Sequence, residues 1–136
     1  MNDPKALARR FYDMMSDWSP DKLDEICSPT LRGHAGAGAD LDELKQSITG
    51  FVDAFSDFHA EVRYLVREDD LVSAWVTYEG THTGKFAGVP GTGRPIKIAG
   101  WDLLRIQDDR MVEITQYCDV FVLMNQIGAL PTAAPA

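Results

Sequence analysis

The stretch LDELKQSITGFVDAFSDFHAEVRYLVR, residues 41–67, changes its apolar period part-way along. Leu41, Leu44, Ile48, Phe51, Val52 and Phe55 fall on one helical stripe. Asp40, with Glu43 three positions on, has the form of a capping box. From Phe58 the period drops to two: Phe58, Ala60, Val62, Tyr64 and Val66 alternate with His59, Glu61, Arg63 and Arg67. The stretch therefore predicts a helix over 41–55 and, directly after it, a half-buried strand.

Working toward the N-terminus, Asp3-Pro4 starts a helix over about 4–17, with Leu7, Phe11, Met14, Met15 and Trp18 at helical spacing. Ser19-Pro20 starts a short second helix that ends before Ser28-Pro29. The small residues GHAGAGA, 33–39, predict a loop. Toward the C-terminus, Asp69-Asp70 makes a turn into a second strand over 71–81. A Gly/Pro-rich connection over 84–95 precedes a third strand over 96–107. Asp108-Asp109 then turns into a fourth over 111–122. Helices segregated from an antiparallel sheet give an α+β fold. No linker or repeat breaks residues 1–130, so one domain is expected, with a frayed tail over 131–136. Trp75 and Val76 are neighbours, as are Leu103 and Leu104, so the later strands are apolar on both faces. Such a sheet must be covered twice: once by the helices and once, most simply, by a second copy of the chain.

The 136 residues carry a net charge of −8. That field repels phosphate backbones and anionic lipid heads, so neither nucleic acid nor a membrane surface is an expected partner. The N-terminus has no apolar stretch of signal-peptide length and no segment is long enough to span a bilayer, so a cytoplasmic protein is expected. Cys27 and Cys118 lie far apart and read as reduced thiols. The three histidines, 34, 59 and 82, have no metal-ligand spacing, so no metal site is expected. His82 is expected to organise its hairpin through local hydrogen bonds.

One carboxylate stands out. Asp119 interrupts the apolar run Tyr117-Cys118-Asp119-Val120-Phe121-Val122. Burial among such neighbours raises a carboxyl pKa toward neutrality, which suits acid/base work. The structural alternative is that it caps a short C-terminal helix or pairs with an arginine. Strand parity puts Glu113, Thr115, Tyr117 and Asp119 on one face and Cys118 on the other. Asp102, between Trp101 and Leu103, is a second carboxylate on the neighbouring strand; it either approaches Asp119 or bonds to Arg105 or a backbone amide.

The string GTHTGKFAGVPGTGR at 80–94 resembles the signature hairpin of SnoaL-like polyketide cyclases, within the nuclear-transport-factor-2-like superfamily. GWDLLRI at 100–106, MVEITQYCD at 111–119 and LMNQIGAL at 123–130 agree with that family, and His34 sits where its members often carry a histidine. The resemblance covers about residues 4–130. It implies a cone-shaped α+β barrel in which three N-terminal helices pack on a strongly curved sheet of about four long strands around a deep pocket. It also implies a cofactor-independent intramolecular aldol condensation that closes a ring in an apolar polyketide-type substrate. The family's acid/base aspartate matches Asp119, with His34 as its catalytic partner. Tyr117, Thr115, Asp102, Trp18, Met15 and Phe55 are the expected substrate contacts. Thr115 stands where relatives usually have tryptophan, so one pocket wall is altered.

Two other functions fit the same residues. One is an isomerase or epoxide hydrolase on this scaffold. An Asp-Arg-Asp set built from Asp102, Arg105 and Asp119 is disfavoured, because residues three apart on a strand point to opposite faces. The other is a ligand-binding dimer without catalysis.

Overall fold

The Lys5 N–H donates to the Asp3 side chain at 2.9 Å and Pro4 follows, so helix α1 (Pro4–Asp13) begins where its start signal sits. It continues as a short 3₁₀ turn, Met14–Asp17, and a second 3₁₀ turn, Pro20–Glu25, stands where the second helix is expected. The structure is a computed structural model describing residues 3–130; the tail expected over 131–136 lies outside the described residues. Helix α2 (Leu41–Ala54) is capped by Asp40, which accepts from the Glu43 N–H at 2.9 Å.

Five strands form one sheet: β1 (Cys27–Ala35), β2 (Phe55–Glu68), β3 (Leu71–His82), β4 (Pro95–Gln107) and β5 (Arg110–Cys118). Their order is β1-β5-β4-β3-β2; β1 runs parallel to β5 and every other pair is antiparallel. The predicted α+β layering therefore holds, with two corrections. Residues 33–35 belong to a fifth strand rather than to a loop. Gly33 in that strand pairs with Ile114, so the small residues follow the β5 edge instead of leaving it. Residues 120–122 are not strand: β5 stops at Cys118, and helix α3 (Val120–Gln126) turns back toward β4. The Gln126 side chain pins α3 there, accepting from Lys97 N–H and donating to Lys97 C=O, both at 2.9 Å.

The alternation read along residues 58–66 is also interrupted. A bulge between Val62 and Tyr64 reverses the side-chain parity, so Val62 faces Val76 whereas Tyr64 faces Trp75. Tyr64 and Val66 point out and Leu65 points in, opposite the buried Ala74. On β4 the parity is unbroken: Ile96, Ile98, Asp102, Leu104 and Ile106 are buried and their odd-numbered neighbours are not. The helices cover this even face. Each leucine or isoleucine fully buried there contributes roughly 1.5–3 kcal/mol.

Candidate active site

A cavity of about 270 Å³ opens between the inner sheet face and helix α2. Its walls are mostly apolar, from Met15, Ile48, Phe51, Phe58, Phe86 and Val120. Three of these groups come from the stretch over 41–67 in which the period changes: α2 supplies Ile48 and Phe51, and β2 supplies Phe58. Phe86 of the Gly/Pro-rich connection packs on Phe51 at 5.3 Å.

Asp102 reaches this cavity from the middle of β4 and is only 1% exposed. Its Oδ2 accepts a hydrogen bond from the Tyr12 hydroxyl at 2.5 Å and one from Gln116 Nε2 at 3.3 Å. Burial penalises its charged form and those two donors offset only part of that penalty, so the carboxyl is pushed up to about 7. The Tyr12 phenol is itself raised well above its usual value, first by burial and then by the neighbouring carboxyl, so it stays a neutral donor. At neutral pH the Asp102 carboxyl is thus poised between its two protonation states, which is the condition for taking a proton from a ligand and returning it.

Asp119 does not look into the cavity. It is exposed and caps α3, its Oδ1 accepting from the Val122 N–H at 3.0 Å. The strand ends one residue before it, which frees the side chain to turn toward the new helix. His34 is also outside. It lies on β1 rather than in a loop, is exposed, and pairs with Glu113 at 2.8 Å. That contact, followed by Arg105, holds the Glu113 carboxyl below its ordinary value.

The expected facing of β5 is reversed as well. Buried Met111 and Ile114 lie on the inner side, with a bulge between them, so Gln116 and Cys118 face the cavity while Thr115 lies outside, beside His34 and Leu103. Tyr117 reaches only the rim: it is 57% exposed and stacks on Trp101 of the outer face. Met15 is a wall residue as expected. Trp18 and Phe55 are not; Trp18 donates to Thr49 Oγ1 at 3.0 Å, and Phe55 is sealed behind Phe51, Phe58 and Phe86. The parity that separates Asp102 from Arg105 holds, since Arg105 faces out to Asp70 and Glu113.

The sequence does not single out Tyr78 and Gln116 of the cavity wall, nor Tyr12, which supports Asp102 without being a wall residue. One signal for Asp102 itself was available, because it occupies a buried register between Ile98 and Leu104. Tyr12 carried the ordinary signal of a core helix residue, and nothing local marks its partner ninety positions away.

Cys27 and Cys118 are free thiols, pushed up by burial to about 12 and about 11, so neither is a nucleophile at neutral pH. His82 is fully buried; its Nδ1 accepts from the Thr92 N–H at 3.2 Å and lies 2.9 Å from Thr92 Oγ1, fastening the hairpin as expected. Among the described residues no three His, Cys, Asp or Glu side chains converge as a metal site, and no helix is long and apolar enough to cross a membrane.

This arrangement has relatives. Residues 5–127 match the family described as SnoaL-like polyketide cyclase. IdmH from Streptomyces antibioticus, to which polyketide cyclase activity is ascribed, is 27% identical with a TM-score of 0.84 over 93% of this chain and 99% of that one. AclR from Streptomyces galilaeus, to which hydroxylase activity is ascribed, is 25% identical with a TM-score of 0.85 over 96% of this chain and 88% of that one. TsrD from Streptomyces laurentii shares the fold at 24% identity, with a TM-score of 0.83 over 93% of this chain and 95% of that one. No curated protein matches in sequence. The family match spans nearly all of the described residues, and the chain belongs to the SnoaL-like polyketide cyclases.

Proposed function

We propose that this protein is a cofactor-independent ring-closing enzyme, an intramolecular aldol catalyst for an apolar polyketide-type substrate, with Asp102 rather than Asp119 as its acid/base. The observation that carries this reading is the Asp102 carboxyl, held near 7 on the wall of an apolar cavity. In the reaction, ionised Asp102 takes a proton from a carbon beside a ketone. The resulting enolate carbon attacks a second carbonyl carbon of the same molecule, forming the carbon–carbon bond. The new alkoxide takes the proton back from Asp102, so the enzyme ends as it began. The substrate's own carbonyls spread the charge, and the cavity holds the two ends together.

Tyr12 and Gln116 act through Asp102, orienting its carboxyl and limiting how far burial raises it. The cavity's size favours one or two rings, since 270 Å³ corresponds to about nine water volumes of ~30 Å³ each. A longer chain would leave past Tyr117 and Val120 at the rim.

A test uses β-tetralone, a two-ring ketone with an acidic benzylic carbon. In heavy water the protein should speed deuterium uptake at that carbon, and Asp102→Asn should abolish the acceleration. Equal rates with wild type and Asp102→Asn would reject the proposal.

We further infer a homodimer formed through the outer sheet face. Tyr64, Trp75, Trp101 and Tyr117 lie directly opposite one another across four neighbouring strands, and all four are exposed. A contiguous aromatic row of this kind favours burial against an apolar partner, and its own copy is always available.

A further inference from the structure

Two tyrosines are buried beside Asp102, and they differ in one respect. The Tyr12 hydroxyl donates its hydrogen bond to Asp102. The Tyr78 hydroxyl has no hydrogen-bond partner among the described residues, although the residue is only 8% exposed, and it is not among the polar atoms sealed from all accessible space. The residue lines the cavity together with Asp102.

The ring of Tyr78 is held on both sides. Phe58 stacks on it at 5.6 Å with the planes 7° apart. On the sheet side it lies over Gly100, where a Cβ would come within 2.5 Å of Tyr78 Cε2, the ring carbon next to the hydroxyl-bearing one. Any side chain at position 100 would displace the ring. The glycine thus lets Tyr78 lie flat across β4, with its hydroxyl end toward Cys118, which is Gly100's partner on β5, and toward Asp102 two residues on. Burial, then Asp102, then Cys118 raise the phenol well above its ordinary value, so it remains protonated across the neutral range.

The Tyr78 hydroxyl reaches the cavity's accessible space with no protein acceptor beside it, so a ligand oxygen placed there can accept its hydrogen bond. Two other polar groups of the wall are engaged: Ser47 Oγ donates to Gly36 C=O at 3.1 Å, and Gln116 donates to Asp102; the Tyr117 hydroxyl stands at the exposed rim. We propose that Tyr78 is a catalytic residue whose hydroxyl donates a hydrogen bond to the substrate's ketone oxygen, the oxygen on which charge gathers when Asp102 removes the adjacent proton. No proton leaves Tyr78; it stabilises the enolate as a fixed donor. The substrate class narrows accordingly to compounds with a ketone oxygen one carbon away from the acidic C–H. This inference rests on the proposed carbon-acid reaction for its catalytic meaning, but the hydrogen bond itself is testable without turnover.

The test compares wild type with Tyr78→Phe, which keeps the stacked ring. The probes are β-tetralone and tetralin, the matching hydrocarbon without the oxygen. Equilibrium dialysis is run on the alkaline side of about 7, where Asp102 is ionised and cannot donate. Wild type should bind β-tetralone roughly 3- to 10-fold more tightly than Tyr78→Phe does, with tetralin affinity unchanged. The infrared carbonyl stretch of bound β-tetralone should sit at lower frequency in wild type and move up in Tyr78→Phe. An unchanged stretch, or equal losses for ketone and hydrocarbon, would overturn the inference, as would failure of both probes to bind wild type. Persistent deuterium uptake in Asp102→Asn would instead remove the proposed reaction while leaving the hydrogen-bond result standing.

Discussion

The Tyr12 hydroxyl meets Asp102 Oδ2 at 2.5 Å, a contact that joins the first helix to the centre of the sheet. It favours the ionised carboxylate and so works against burial. Tyr12→Phe deletes the donor and keeps the ring. The Asp102 midpoint should then rise above 7 by about one to two pH units, the equivalent of losing a hydrogen bond to a charged group. The pH profile of deuterium uptake into β-tetralone reads this directly: the rising limb should move to higher pH. An unmoved or lowered midpoint would separate Tyr12 from the acid/base group.

The same carboxyl makes stability depend on pH. The folded protein keeps the Asp102 proton up to about 7, whereas an unfolded chain releases it near 3.8. Between those values the native state binds more protons, so this group's contribution is full below about 3.8 and is lost as pH rises through about 7. The loss is on the order of 4 kcal/mol. Asp102→Asn should therefore be more stable than wild type on the alkaline side, with the advantage shrinking as the pH falls toward 4. Urea denaturation at a series of pH values measures it; a variant less stable than wild type at alkaline pH would contradict the account.

Asp119 and Asp102 should respond differently to the same change. Asp119→Asn keeps a side-chain acceptor for the Val122 N–H, so helix α3 stays capped and deuterium uptake should remain within about twofold of wild type. Asp119→Ala should cost about 1 kcal/mol of stability, again without loss of turnover. A collapse of turnover in Asp119→Asn would return the catalytic role to that residue.

On the outer face, Trp101 stacks on Tyr117 with centroids 6.2 Å apart and donates to Ser73 Oγ at 2.7 Å. Trp75, its neighbour in the row, is half exposed. Sedimentation of the wild type should give twice the 15.1 kDa chain mass, and Trp75→Glu should give the single-chain mass with an unchanged circular dichroism spectrum. A wild type that sediments as one chain would remove the dimer.

Much of this fold is written locally in the sequence. The Asp3-Pro4 and Asp40 starts, the switch of period after Phe55 and the two aspartate turns each appear in the structure within a few residues of where they are read. What local reading misses is long-range. β1 exists because Gly33 and His34 find Ile114 and Thr115, a pairing that no nearby signal announces. The bulge at Arg63 reverses side-chain parity, so a period-two argument carried through it puts Tyr64 on the wrong face. On β5 the grouping of Glu113, Thr115 and Tyr117 opposite Cys118 holds, but theirs is the outer face, and Asp119, expected to point inward with them, lies past the strand's end. Asp119 drew attention as a carboxylate among apolar neighbours, but its neighbours are those of a helix start. Asp102 carries the stronger version of the same signal, a carboxylate in the buried register of an unbroken strand.

The most direct measurement is a carbon-13 NMR titration of the Asp102 carboxyl in the free protein, with its signal assigned by its absence from Asp102→Asn. The account predicts a midpoint of about 7, moving when β-tetralone occupies the cavity. A midpoint at the ordinary aspartate value, near 3.8, would contradict it.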